Sequence, residues 1–168
     1  MRWGEKRYHS LDYELKQMFK EKDYKIALNG GMTCPNRDGH VGTGGCIFCS
    51  SQGSGDFAGS ARLSIAEQIR QGKADISSKR PVHSYIAYFQ AFTNTYAPVE
   101  TLRALYMEAI ADPEVKILSI RSREAVVFQQ KRRDEPARTY TLYPGDAMAM
   151  VSDAFEGITV QAISQNTV

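Results

Sequence analysis

Three cysteines, Cys34, Cys46 and Cys49, fall within sixteen positions, and none lies elsewhere in the 168 residues. An odd count cannot be closed into disulfides alone. Thiolates gathered in one loop suit soft metals and iron–sulfur clusters. Three of them fill three corners of a four-iron cluster and leave the fourth iron open to an exogenous ligand, as an open coordination position marks catalytic zinc sites. Glycines at 30, 31, 39, 42, 44 and 45 let the backbone turn tightly and approach a bulky inorganic core. His40 lies between the first two cysteines, so Cys34, His40, Cys46 and Cys49 also form an alternative, closed tetrahedral set for zinc.

Residues 29–60 make a long glycine- and serine-rich loop, and such a loop inside a domain is usually functional or disordered. The segments around it are periodic. Ser10 to Glu21 reads as a short amphipathic helix with Leu11, Leu15, Met18 and Phe19 on one side. Tyr24–Leu28 reads as a first strand. Ser64 and Glu67 form a capping box at the head of a helix whose apolar side holds Ile65, Ile69 and Ile76. Residues 84–89 read as a second strand, apolar enough to be buried on both faces. Pro98 suits the first turn of a helix running through Leu102, Leu105, Tyr106 and Ile110, and Val115–Ile120 is a third strand. Strand–helix alternation of this kind predicts an α/β fold with parallel strands and crossover helices.

The stretch Leu28-Asn-Gly-Gly-Met-Thr-Cys34-Pro-Asn-Arg-Asp-Gly39, followed by Gly42-Thr-Gly-Gly-Cys46-Ile-Phe-Cys49-Ser, resembles the cluster loop of radical S-adenosylmethionine (SAM) enzymes. It is most similar to the bacterial group related to the elongator-type subunit that modifies wobble uridines in tRNA. Trp3-Gly-Glu-Lys-Arg-Tyr-His-Ser10, Gly53-Ser-Gly-Asp-Phe-Ala-Gly59 and Tyr88-Phe-Gln-Ala-Phe-Thr-Asn-Thr-Tyr-Ala-Pro98 extend the likeness over residues 1–120. The resemblance implies a [4Fe-4S] cluster on Cys34, Cys46 and Cys49, with SAM chelating the fourth iron. It further implies reductive SAM cleavage for radical modification, a one-electron donor protein and a tRNA substrate. In that reading Phe48 neighbours the adenine, and Gln90, Asn94 and Ser119 contact SAM. The plain alternatives are core packing for Phe48 and loop hydrogen bonding for Gln90 and Asn94.

The chain is short for such a fold. A complete eight-unit barrel needs roughly 200 residues or more, so the resemblance implies a truncated, partial (β/α) barrel. After Ile120 the pattern changes. Where the resemblance leads one to expect Gly-Thr-Arg-Pro-Asp, this chain has Arg121-Ser-Arg-Glu-Ala125, which reads as a chimeric, frameshifted or designed joint near residues 118–125. Residues 123–130, 139–143, 147–151 and 157–163 then read as strands separated by charged or Pro-Gly-Asp turns. This predicts a short antiparallel β-rich tail, 121–168, with a hairpin across Pro144-Gly-Asp146. The tail has no histidine, so it cannot supply a facial metal triad.

The net charge of +2 and pI near 8.4 are too mild to indicate nucleic-acid binding on their own. Trp3, Arg7 and Tyr8 offer stacking and charge but also suit an N-terminal packing arm. Arg121, Arg123, Lys131, Arg132 and Arg133 form a basic cluster that fits a solvated hairpin tip. No run reaches the length of a membrane span, and no signal peptide is expected. Unpaired cysteines fit the reducing cytoplasm. Two readings outside catalysis stay open: a structural zinc- or cluster-binding module, and an interaction domain with a vestigial cluster loop.

Overall fold

The computed structural model describes residues 3–47, 49–79, 81–122, 126–132, 138–142, 145–150 and 155–162, with side chains through Arg121. The chain order is α1 (Leu11–Phe19), β1 (Tyr24–Leu28), α2 (Ile65–Ser77), β2 (Tyr85–Phe89), α3 (Val99–Ile110) and β3 (Val115–Ser122). Four further strands follow: β4 (Val126–Arg132), β5 (Arg138–Leu142), β6 (Gly145–Met150) and β7 (Phe155–Ala162).

Local chemistry sets the helix ends. The Ser10 hydroxyl accepts from Tyr13 N at the start of α1, and Lys20 closes it in the left-handed region at φ 62°. The expected capping box opens α2: Glu67 N donates to Ser64 Oγ at 3.2 Å, and Ser64 N donates to Glu67 Oε2 at 3.0 Å. Pro98 is the residue before α3 rather than within its first turn, with no side-chain cap.

Strands β1, β2 and β3 are parallel and lie side by side in chain order. Both crossover helices pack on one face. Ile65 and Ile69 of α2 and Tyr106 and Ala109 of α3 share a core with Ile26, Leu28, Ala87, Phe89, Leu118 and Ile120. Gly72 lets α2 settle closely on β1, since a Cβ there would lie 2.5 Å from Ile26 Cγ2. The opposite face carries a smaller cluster in which Leu15 and Phe19 of α1 cover Ile86 and Ile117. Leu11, expected on the apolar side of α1, is exposed instead; it sits at the first helical position, beyond the edge of that small cluster.

The tail strands are antiparallel, but they pair differently from the expected hairpin. β6 joins β3, with Ile117 opposite Met150 and Ser122 opposite Gly145. β5 pairs with β4, and β4 with β7, in a separate three-stranded sheet. Thus the two strands flanking the Pro-Gly-Asp stretch belong to different sheets. The physical reason lies in β3, whose outer edge has unpaired backbone groups that a neighbouring strand can satisfy. Among the described residues, no helix is long and apolar enough to cross a membrane.

Candidate metal centre at the C-terminal edge of the sheet

Because β1, β2 and β3 are parallel, their C-terminal ends share one edge, and the loops after β1 and β2 leave from it. The loop after β1 holds all three cysteines. Gln68, a 3% exposed residue of α2, fastens both ends of that loop. Its Oε1 accepts from Asn29 N at 2.9 Å, and its Nε2 donates to Asn29 O at 3.0 Å and to Leu63 O at 3.1 Å. Sequence reading missed Gln68. Its one signal is a polar residue on the apolar side of α2, one position before Ile69.

Inside the loop, Asn36 and Arg37 hold Gly45, Ser50 and Ser51. Arg37 N donates to Cys34 O at 2.8 Å and Gly45 N to Asn36 O at 2.8 Å. The Arg37 guanidinium donates to Ser50 O at 2.5 Å and Ser51 O at 3.2 Å, and lies 5.7 Å from the centre of the Phe92 ring. Asn36 Nδ2 donates to Cys46 Sγ at 3.1 Å, and Ser54 Oγ to Cys49 Sγ at 3.6 Å. None of the cysteines is in a disulfide; Cys34 is buried, and Cys46 and Cys49 are half-buried.

The loop after β2 is laced to the cysteine loop. Phe92 N donates to Gly53 O at 3.0 Å and Thr93 N to Thr33 O at 3.3 Å. Gly53, at φ 62°, cannot carry a side chain, because a Cβ there would meet Phe92 Cδ1 at 2.4 Å. Gln90, half-buried, joins this lacing through Nε2, which donates to Ser54 O at 2.7 Å. Asn94 is wholly buried, and its amide pins the ends of two strands, donating to Phe89 O at 2.9 Å and Arg121 O at 3.2 Å. Asn94 Oδ1 and the hydroxyl of buried Ser119 have no protein partner. Ser119 stands opposite Tyr88 in register. The structure therefore brings Gln90 and Asn94 to the edge that holds the cysteines and leaves one acceptor and one hydroxyl available nearby in the fold. Phe48 lies outside the described residues.

His40 is exposed, with its ring edge-on to Tyr96 at 6.2 Å. Desolvation first, and the carboxylate of Asp38 second, hold the Tyr96 phenol above its ordinary value. Among the described residues, no three His, Cys, Asp or Glu side chains gather as a group ready to hold a metal ion. By type alone the donors suit an iron–sulfur cluster. They are three thiols free of disulfides, with hydrogen-bond donors at the sulfurs of Cys46 and Cys49, in a loop where Gly31, Gly39 and Gly44 face open space.

The N-terminal arm folds back on α1. Trp3 stacks on His9 at 5.5 Å, and His9 Nε2 lies 2.7 Å from Glu14 Oε2, while Arg7 and Tyr8 stay exposed. Of the expected basic cluster, Arg121 is half-buried at the end of β3 and Lys131 and Arg132 lie in β4, whereas Arg123 and Arg133 fall outside the described residues.

The chain is 50% identical over 119 residues to the uncharacterized protein YtqA of Bacillus subtilis (strain 168), which covers 71% of this chain and 37% of YtqA. Protein YhcC of Escherichia coli (strain K12) is 40% identical over 111 residues, 66% of this chain and 34% of YhcC. The uncharacterized protein MJ0486 of Methanocaldococcus jannaschii is 34% identical over 120 residues, 70% of this chain and 35% of its own length. The chain thus spans little more than a third of the curated relatives it matches. No protein-family model matches it, and no solved structure does.

Proposed function

We propose that residues 1–120 are the cluster-binding part of a radical SAM protein, built as a partial (β/α) barrel, with 121–168 as a β-rich tail that lends β6 to the edge of β3. One observation carries this reading. Three thiols outside any disulfide sit in the glycine-rich loop that leaves the C-terminal end of β1. The sheet below them has strands in the order β1-β2-β3 with both crossover helices on one face. Sequential parallel strands whose crossover helices share one face are compatible with a β/α barrel, and barrel sites lie at the C-terminal ends of strands.

Cys34, Cys46 and Cys49 would hold a [4Fe-4S] cluster, which with SAM supplies one-electron reductive cleavage of the sulfonium. The protein's own part is to fix the loop and keep water out. Gln68 and Arg37 hold the loop's shape, the Phe92 ring packs against Gly53 and beneath the Arg37 guanidinium, and the Ser119 hydroxyl and Asn94 Oδ1 would be polar groups for SAM. A tRNA substrate, a one-electron donor protein and a cytoplasmic location belong to the same proposal.

Anaerobic reconstitution with iron and sulfide tests it. A brown protein with about four irons per chain, the content of a cubane cluster, is the expected result. SAM should then perturb the electron paramagnetic resonance (EPR) spectrum of the reduced protein, and Cys46→Ala should lose the iron while His40→Ala keeps it. A colourless protein with one zinc per chain, lost in His40→Ala, would replace this reading with the structural zinc module.

A further inference from the structure

On the reading that the three cysteines hold a cluster, we propose that Ser54 and Asn36 are positioning residues: they donate hydrogen bonds to two of the ligating sulfurs and so raise the cluster's reduction potential. The sulfurs served are those of half-buried Cys49 and Cys46, at 3.6 Å from Ser54 Oγ and 3.1 Å from Asn36 Nδ2.

The backbone at Ser54 makes its hydroxyl conspicuous. Its φ is 63°, in the left-handed region where glycine is the default and other residues are strained. Both neighbours are glycines that tolerate no Cβ: one at 53 would meet Phe92 Cδ1 at 2.4 Å, and one at 55 would meet Ala91 Cβ at 2.5 Å. A third glycine would relax the backbone, yet position 54 carries a side chain. That side chain is not needed to hold the loop. The bonds at this position that do so are backbone ones, Ser54 N to Ser50 Oγ at 3.2 Å and Ser54 O from Gln90 Nε2 at 2.7 Å, and both survive a change to glycine. The hydroxyl donates to sulfur instead.

Asn36 shows the same preference. Its amide turns the NH₂ group to Cys46 Sγ although this leaves Oδ1 buried without a partner. A sulfur bonded to iron carries no proton and can only accept, so a donor is the complementary group. Hydrogen bonds to cluster sulfurs stabilise the reduced, more negative state and are among the determinants of potential.

The test is an EPR-monitored redox titration of the full chain reconstituted with iron and sulfide, as wild type, Ser54→Gly, Ser54→Ala and Asn36→Ala. A parallel urea titration follows the metal-free proteins. Ser54→Gly should shift the midpoint to a more negative potential at unchanged iron content, while the metal-free protein is as stable as wild type or more so, because strain is released. Ser54→Ala and Asn36→Ala should shift it the same way. A wild-type midpoint in Ser54→Gly overturns the inference and leaves the cluster reading intact. So does a Ser54→Gly protein that loses stability and iron together, since that marks a structural role. A wild type that assembles no cluster overturns both.

Discussion

Asn94 joins the two strands beside the site, and replacing it should cost stability in the metal-free chain. Its side chain is wholly buried and donates to Phe89 O at 2.9 Å and Arg121 O at 3.2 Å. Asn94→Ala removes both bonds. Arg121 O keeps a donor, Asn94 N at 3.1 Å, so that loss is about 1 kcal/mol, the net worth of a typical hydrogen bond. Phe89 O loses its amide donor in a buried setting, which costs about 1–3 kcal/mol. The expected destabilisation is therefore about 2–4 kcal/mol, read as a lower urea midpoint at unchanged m-value. Asn94→Asp should be worse, because a carboxylate would face two carbonyl oxygens. Its folded pKa would lie above the unfolded one, so its penalty should grow as pH rises past about 4. A loss below about 0.5 kcal/mol for Asn94→Ala in the metal-free protein, within the range of an inert surface change, would refute this account.

Two further predictions concern the scaffold. Gly72→Ala gains roughly 1 kcal/mol of helix propensity but drives a methyl to 2.5 Å from Ile26 Cγ2, and overpacking costs about 1–3 kcal/mol. A net loss is expected in urea titration, turning into a net gain in the Ile26→Ala background; stabilisation in the wild-type background would show that the helix can lift off the strand freely. At the other end of the sheet, Lys73 Nζ lies 2.5 Å from Asp112 Oδ1 and 2.7 Å from Glu114 Oε2, and His83 Nδ1 lies 3.0 Å from Glu114 Oε1. The hydrogen bond from Lys73, then that from His83, holds Glu114 below its ordinary 4.5. Its contribution is thus complete above pH 4.5 and fades as pH falls through the lower folded value. Burial opposes the Lys73 charge, but Asp112 and Glu114 outweigh it and raise its pKa above 10.5. That contribution is present below pH 10.5 and fades as pH climbs through the folded value. Lys73→Met should flatten both limbs of stability against pH, and an unchanged acid limb would count against the pair.

Much of the frame is written in local sequence. The Ser64–Glu67 capping box, the Tyr24–Leu28 strand and the alternation through β3 depend on neighbours a few residues apart, and they stand where periodicity and capping put them. The cysteine spacing and the glycines likewise raise the expectation of a metal-type loop without any knowledge of the fold. Other features depend on residues far apart in the chain, and no local pattern encodes those distances. Gln68 reaches across 39 positions to clamp Asn29, Asn94 across 27 to Arg121 O, and Gly72 is constrained by Ile26. Leu11 fits the helical period but lies beyond the small cluster that α1 covers. The tail is the clearest division. Its alternation is enough to make strands, but a strand's partner is chosen by which edges remain open. Here β6 takes the edge of β3, and β5 pairs with β4. Local sequence determines what each segment can become, whereas pairing and burial depend on surfaces that exist only once the chain has folded.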